Sequence, residues 1–436
     1  MASADVYHLL NAARNGYRLF PVDRTTRKAL VENPMAAASS DPTQISAWYD
    51  AFPGADWGYV SPQFTVSASA FEWIDGATIP KREWLYGGHH IRRYLSATFA
   101  TGGVGKSSLT VAEALAMVSG KPLLGVTPTA RLRVWLWNGE DPFDELQRKV
   151  MAAAEHYGLN AGDLAGLFVD SGRQMRLQIA TQFNGRIEIA TPLVDAVIAT
   201  LRENRVDLLV VDPFVTTHAL NENDNGAIQE VIAQFARIAE EANCAIDLVH
   251  HTRKTNGNDV TVEDGRGASA LLAAVRSARV LNRMSKADGD KYQVENHKTY
   301  VRVDNGKANL MLPSEHADWF HLKSFRLANG DDVGVATHWA PPDPFEELSC
   351  ADLIKAQDAV SLAGPWRRHH ASADWVGIPI AEAIGWDIEA PGTKARVERI
   401  LKTWIKNGAF EVYTARDHKK REPKEFVRVG ASARKS

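Results

Sequence analysis

Cysteine is almost missing from this sequence: Cys244 and Cys350 are the only two in 436 residues, far apart and in no CxxC pair. That excludes a disulfide framework and a cysteine-paired zinc site, and it fits a reducing compartment. No run of about 18 apolar residues occurs, so no membrane-spanning helix and no membrane partner are expected. The residues after Met1 are polar and amphipathic rather than basic and then apolar, and the expected location is cytoplasmic. An excess of positive charge is missing too. The 50 Lys and Arg against 53 Asp and Glu leave a formal charge of −3, which rules out a uniformly basic nucleic-acid coat but allows local basic patches. What remains is ordinary globular composition, 45% hydrophobic and 24% charged, in a chain too long for one core.

The order of patterns divides the chain. Residues 1–60 open with a helical pattern, then a strand at Tyr17–Val22. A second helix follows from the Asp41-Pro42 cap to Tyr49. Residues 61–75 lack periodicity and form a linker. Residues 76–335 alternate strands and helices, which predicts an α/β fold with a mostly parallel sheet flanked by helices. The expected strands are Tyr94–Phe99, Leu132–Trp137, Leu167–Asp170, Asp207–Asp212, Ala245–His250 and Ala278–Asn282. Between them lie helices at Ser107–Ser119, Pro192–Asn204 and Ala227–Ala242. Several of the strands are continuous apolar runs, as suits a sheet covered on both faces. Strands at Lys291–His297 and Ala308–Leu312 are expected to extend the sheet edge antiparallel. Residues 336–347 hold a hinge, Ala340-Pro341-Pro342-Asp343-Pro344, and residues 348–436 form a second small domain.

The stretch A-T-G-G-V-G-K-S, Ala100–Ser107, follows a predicted strand and opens a predicted helix, the context that a phosphate-binding loop requires. Gly102, Gly103 and Gly105 allow backbone conformations and close approach that side chains block. The N–H groups of Thr101, Gly102, Gly103, Val104, Gly105, Lys106, Ser107 and Ser108, at a helix N-terminus, offer partial positive charge to phosphates. Lys106 reaches the outer phosphates, and the Ser107 hydroxyl suits Mg²⁺. The expected ligand is Mg-ATP. Ala100 departs from the usual first glycine, a change expected to cost conformational freedom there.

Carboxylates close two other predicted strands. Asp212 ends an apolar run at the sheet edge where ligands of open parallel sheets bind, and it is assigned to the Mg²⁺ shell. Glu140, in W-N-G-E-D-P, is assigned to polarise the attacking water, while its neighbour Asp141 reads as a helix cap. His250 and His251 end the next strand. Alternation along a strand lets only one face the phosphates, and His251 is favoured as the sensor.

Taken together, the phosphate loop, W-N-G-E-D-P, V-V-D, V-H-H-T and R-G-A-S-A-L-L-A-A-V-R resemble the RepA-like hexameric replicative helicases of the RecA-like ATPase superfamily, over roughly residues 80–312. The resemblance implies a RecA-like core in a homo-oligomeric ring, a hexamer, with shared ATP sites. It matches Lys106 and Ser107 to the nucleotide-binding pair, Glu140 to the catalytic glutamate, Asp212 to the metal-organising aspartate and His251 to the sensor. It puts Arg276 at the arginine finger inserted into a neighbour's site, with Arg266 as runner-up and Lys298 as a helper in trans. It also implies that the polar loops Thr216–Gly226 and Thr252–Gly265 face a channel and grip single-stranded DNA, the second through Arg253 and Lys254, although Asp259, Glu263 and Asp264 dilute that charge.

Residues 16–58 resemble the opening of primase-polymerase domains, in G-Y-R-L-F-P-V, Lys28 and P-G-A-D-W-G, but the chain then enters the linker without a paired-carboxylate strand. No polymerase activity is expected of this remnant, only a docking role. The C-terminal region resembles a winged-helix domain. Val397, Ile400, Leu401, Trp404 and Ile405 make one helical face, Gly408 stops the helix, and Phe410–Tyr413 can pair with Phe426–Val429 across a basic tip. From Pro391 to Ser436, thirteen Lys and Arg against five Asp and Glu give 13 − 5 = +8. Lys419, Lys420 and Arg421 are the expected duplex-DNA contacts. The expected activity is a DNA-dependent ATPase, a replicative helicase of plasmid or phage type. The alternative is an ATP-switched initiator or regulator that reads duplex DNA, and a recombinase-type filament is a weaker third.

Overall fold

Apolar runs bounded by turn residues become the strands of one large sheet. The computed structural model describes residues 6–61, 68–183, 185–252, 259–264, 268–310, 317–416 and 422–433. Two compact units emerge, Met1–Lys81 and Arg82–Ser436.

In the first unit, helices Val6–Arg14 and Pro42–Ala51 accompany an antiparallel pair of strands, Arg18–Val22 and Asp56–Val60. The Asp41 side chain accepts from Thr43 N at 2.9 Å, which caps the second helix as its sequence predicts. Leu9, Leu19 and Ile45 fill a small core.

The second unit is built on an α/β sheet that, among the described residues, has nine strands. Their order is Asp332–Trp339, Asp318–Arg326, Tyr300–Ala308, Ser277–Arg283, Leu95–Ala100, Ala245–His251, Leu208–Asp212, Val134–Asn138 and Leu167–Ser171. From Ser277–Arg283 to Leu167–Ser171 the neighbours run parallel, and the other three strands extend the sheet antiparallel. Helices Lys106–Ser119 and Phe143–His156 pack with one face, and Thr191–Glu203 and Asn225–Ala242 with the other, each beside its own apolar cluster. This is the mostly parallel, helix-flanked architecture of a RecA-like core. No helix among the described residues is long and apolar enough to cross a membrane.

Two expected strands need correction. Lys291–His297 begins inside a helix, Lys286–Tyr292, and ends in a 3-10 turn, His297–Thr299. The cause is local: the Ser285 hydroxyl accepts from Asp288 N at 3.0 Å and starts a helix where periodicity suggested a strand. The antiparallel strand instead begins at Tyr300 and ends at Ala308. Of the expected Ala308–Leu312, residues 311 and 312 lie outside the described residues.

Beyond the prolines, helices Cys350–Leu362, Gly377–Ala383 and Thr393–Lys406 pack with strands Trp366–Arg367, Pro423–Val429 and Phe410–Arg416. Val397, Ile400, Leu401 and Trp404 are buried on one helical face, each such side chain worth roughly 1.5–3 kcal/mol of apolar transfer. Gly408 takes a φ of 77° just after that helix. The two segments expected to pair do so, antiparallel, with Phe410 opposite Val429 and Tyr413 opposite Phe426.

Candidate functional site

Parallel strands deliver their carboxyl ends to one edge, and four adjacent strands bring chemistry there. Ala100 is the last residue of its strand, fully buried and paired with both His251 and Leu281. Its backbone is regular strand, so the alanine carries none of the expected conformational cost. The turn that does need glycine comes later. Gly105 has a φ of 106°, and a Cβ there would stand 2.6 Å from Leu322 Cδ1 on the antiparallel extension. The helix Lys106–Ser119 starts immediately after, so its first N–H groups face the loop formed by Thr101, Gly102, Gly103, Val104 and Gly105.

Lys106 is buried, and its Nζ donates to Thr101 O at 3.2 Å and to His251 Nδ1 at 3.0 Å. Burial lowers the Lys106 pKa from its ordinary value, against the attraction of Asp212 and Glu140. The Ser107 hydroxyl donates to Asp212 Oδ2 at 2.8 Å. Burial raises the Asp212 pKa above the ordinary carboxyl value, opposed by that hydrogen bond and by Lys106. Burial, and then the charge of Lys106, lower His251. An imidazole that accepts from Lys106 at Nδ1 carries its proton on Nε2, which faces Glu140 Oε2 at 3.8 Å. His250 points the other way and is buried beside Phe99 and Phe214.

Glu140 is held through its backbone while its carboxylate stays largely exposed. Asn138 Oδ1 accepts from Glu140 N at 3.0 Å and from Asp141 N at 2.7 Å, and Arg173 Nε donates to Glu140 O at 2.7 Å. Gly139 N donates to Asp212 O at 2.8 Å, which ties the two carboxylate-bearing turns together. A side chain at Gly139 would collide with Thr216. Asp141 is not a helix cap: its carboxylate takes Lys149 Nζ at 2.5 Å, and the helix starts behind Pro142 without a side-chain cap.

Lys106, Ser107, Asp212, Glu140 and His251 therefore share one pocket edge. A desolvated ammonium, a buried carboxylate touching a hydroxyl, and a helix N-terminus are the donor set that a magnesium-bound triphosphate fits. Loop and Lys106 would hold the phosphates, Ser107 and Asp212 the metal, whose bound role is to neutralise phosphate charge. Glu140 stands where a carboxylate can orient a water and take its proton.

Fold and site define a P-loop nucleotide-binding protein. In agreement, residues 61–257 match the family model described as an AAA domain, a stretch that contains all five residues. The chain thus carries an ATPase domain of the AAA/P-loop kind, and that family implies nucleotide binding.

Other expected residues lie elsewhere. Arg276 is exposed just before the strand Ser277–Arg283, its backbone N donating to Leu95 O at 3.0 Å and its guanidinium 5.9 Å from the Tyr94 ring centre. It therefore sits at the amino end of the sheet, roughly 17 Å of strand away from its own phosphate loop. Lys298 is exposed on the 3-10 turn. Arg253, Lys254, Arg266, Lys419, Lys420 and Arg421 lie outside the described residues. The loop Thr216–Gly226 holds structure of its own: Phe214–Thr217 is a 3-10 helix, His218–Ala219 pairs with Ala180–Thr181, and Asp224 caps the next helix. Exposure is concentrated from Asn221 on, in a tip that holds the half-buried Glu222 and the exposed Asp224. In the second loop, Asp259 pairs with Arg302 and Asp264 accepts from Thr261, so two of its three acids are locally engaged.

Proposed function

We propose that this chain is an ATP-hydrolysing, DNA-dependent motor, a replicative helicase of plasmid or phage type that works as a ring. The carrying observation is Arg276, an exposed cation at the opposite sheet edge from its own phosphate loop. From there it cannot serve its own nucleotide and is available to a neighbour's, where a finger is worth about 10³–10⁵ in rate. Glu140 is the base, His251 the sensor of the terminal phosphate, and Arg253 and Lys254 the contacts to a single strand.

The C-terminal region is read as a winged helix that contacts duplex DNA. In support, a concavity of about 670 Å³ lies there. Arg367, Arg368, Lys402 and Lys424 line it against Glu398 and Glu425, a net positive hollow suited to backbone phosphate. In the sequence, Lys419, Lys420 and Arg421 fall between the strands Phe410–Arg416 and Pro423–Val429.

The acidic tip Asn221–Gly226 favours a second reading, an ATP-switched initiator that reads duplex DNA and unwinds nothing, because acids repel a strand in a channel. Strand displacement on a forked substrate, beside duplex footprinting, separates the two. Fork opening that needs ATP supports the motor. Brisk ATPase with no opening under any loading condition, and a sharp duplex footprint, would sink it.

A further inference from the structure

We propose that Arg283 acts in cis at the terminal-phosphate end of the nucleotide, as a cation supplied by the same subunit that carries the phosphate loop. The inference rests on the ATPase reading and adds a residue that the motifs do not mark.

Three observations carry it. The first is register. Leu281 pairs with Ala100, so two residues further along, Arg283 emerges level with the start of the phosphate loop. Its backbone is fixed on the other side by pairing with Val301, and Met284 N donates to Tyr300 O at 2.9 Å. The second is direction. Alternation puts Arg279 and Arg283 on one face of their strand, and Arg279 bonds Glu113 on the phosphate-loop helix. Arg283 therefore lies on the side where that helix begins, and its Nη2 donates to Gly103 O. Gly103 itself has a φ of 75° and lies 3.6 Å from this nitrogen at its would-be Cβ. The third is charge. Among the described residues no carboxylate pairs with Arg283, whereas the strand's other arginine is bound to one. A guanidinium has five N–H donors, so one bond to a carbonyl leaves donors for a phosphate that arrives beside it.

This residue differs from Arg276 in a way that can be measured. Arg276 stands at the far edge, where only a neighbour's nucleotide is in reach, while Arg283 touches its own loop. A charge-assisted contact to the last phosphate separates triphosphate from diphosphate in binding, before any turnover.

Equilibrium binding of fluorescent ADP and of a non-hydrolysable ATP analogue tests this with the full chain. Arg283→Ala is expected to weaken the analogue roughly 10- to 100-fold and to leave ADP nearly unchanged, with Arg283→Lys recovering part of the loss. Equal weakening of both nucleotides would reduce Arg283 to a brace for the loop, and no change in either would remove it from the site; both results overturn the proposal. In mixtures with Lys106→Ala protein, Arg283→Ala should gain no ATPase activity, because its missing group belongs to its own site; recovery on mixing would overturn the assignment in cis. Wild-type protein that binds neither nucleotide would instead sink the ATPase reading and this inference with it.

Discussion

One sheet carries two clusters of charge, and they are built differently. In the interior, Arg279 grips Glu113 with two bonds of 2.6 and 2.7 Å, and its Nε donates to Thr98 Oγ1 at 3.0 Å. Thr98 and Ser96 donate to the two oxygens of Asp247 at 2.8 and 3.0 Å, and His89 bridges Asp247 and Ser277 at 3.2 and 2.9 Å. Every member is buried. One ring nitrogen each of His89 and His90 and one carboxylate oxygen of Asp247 lie within 4.8 Å of one another, a spacing that suits a metal ion. Yet Asp247 and His89 are already hydrogen-bonded, and Arg279 stands 4.0 Å from Asp247. At the carboxyl edge the bonding is sparse. Among the described residues, Asp212 has the Ser107 hydroxyl, and the Glu140 carboxylate has only a 3.8 Å approach to His251. Buried charge that is saturated serves the fold, whereas Asp212, buried beside a single hydroxyl, is placed for a ligand.

The sharpest way to break this contrast is at the edge. Glu140→Gln should cut ATP turnover by about 10²–10⁴ while ATP still binds. Lys106→Ala should lose binding and turnover together. Steady-state ATPase beside equilibrium nucleotide binding checks both, and the thermal midpoint of Glu140→Gln, whose carboxylate is largely exposed, should hardly move. If Glu140→Gln turned over at the wild-type rate, the general base would have to lie elsewhere.

The interior should respond in the opposite sense. Arg279→Met leaves Glu113 buried without its partner, and a broken buried pair costs about 3–5 kcal/mol. Chemical denaturation should show that loss, and adding Glu113→Gln should return a good part of it. A single variant as stable as wild type would mean that the network is ornamental to the fold.

How far each cluster is legible in sequence follows the same division. The edge residues belong to contiguous signals, a glycine loop and strand-end acids, because a phosphate ligand demands backbone and carboxylate at strand termini. The interior pair is 166 positions apart, Glu113 on a helix and Arg279 mid-strand, and no local pattern couples them. Arg283 sits one residue past the predicted strand, where its alternation with Arg279 was the only signal. Asn138 has no role in the sequence reading, although its side chain shapes the Glu140 turn. The parallel strands were readable from apolar runs, whereas Lys291–His297 was misread because a single serine cap outweighed periodicity over seven residues.

The smallest effect is the most discriminating, since it asks whether the edge is costly to the empty fold. Asp212 folds into a site where it is 7% exposed, and burial raises its pKa despite Ser107 and Lys106. Between the ordinary carboxyl value, about 3.9, and the raised one, the folded protein holds a proton that the unfolded chain has released. Stability from this group therefore falls as pH climbs through that window, and above it the full cost of the buried carboxylate is present. Asp212→Asn removes the charge and keeps an oxygen for the Ser107 hydroxyl. The nucleotide-free variant should melt a few degrees above wild type at neutral pH, with the gain vanishing below the ordinary carboxyl value, while magnesium-dependent turnover is lost. A lower midpoint at neutral pH would mean that Lys106 and Ser107 already compensate Asp212 without ligand, and the edge would then differ from the interior in exposure alone.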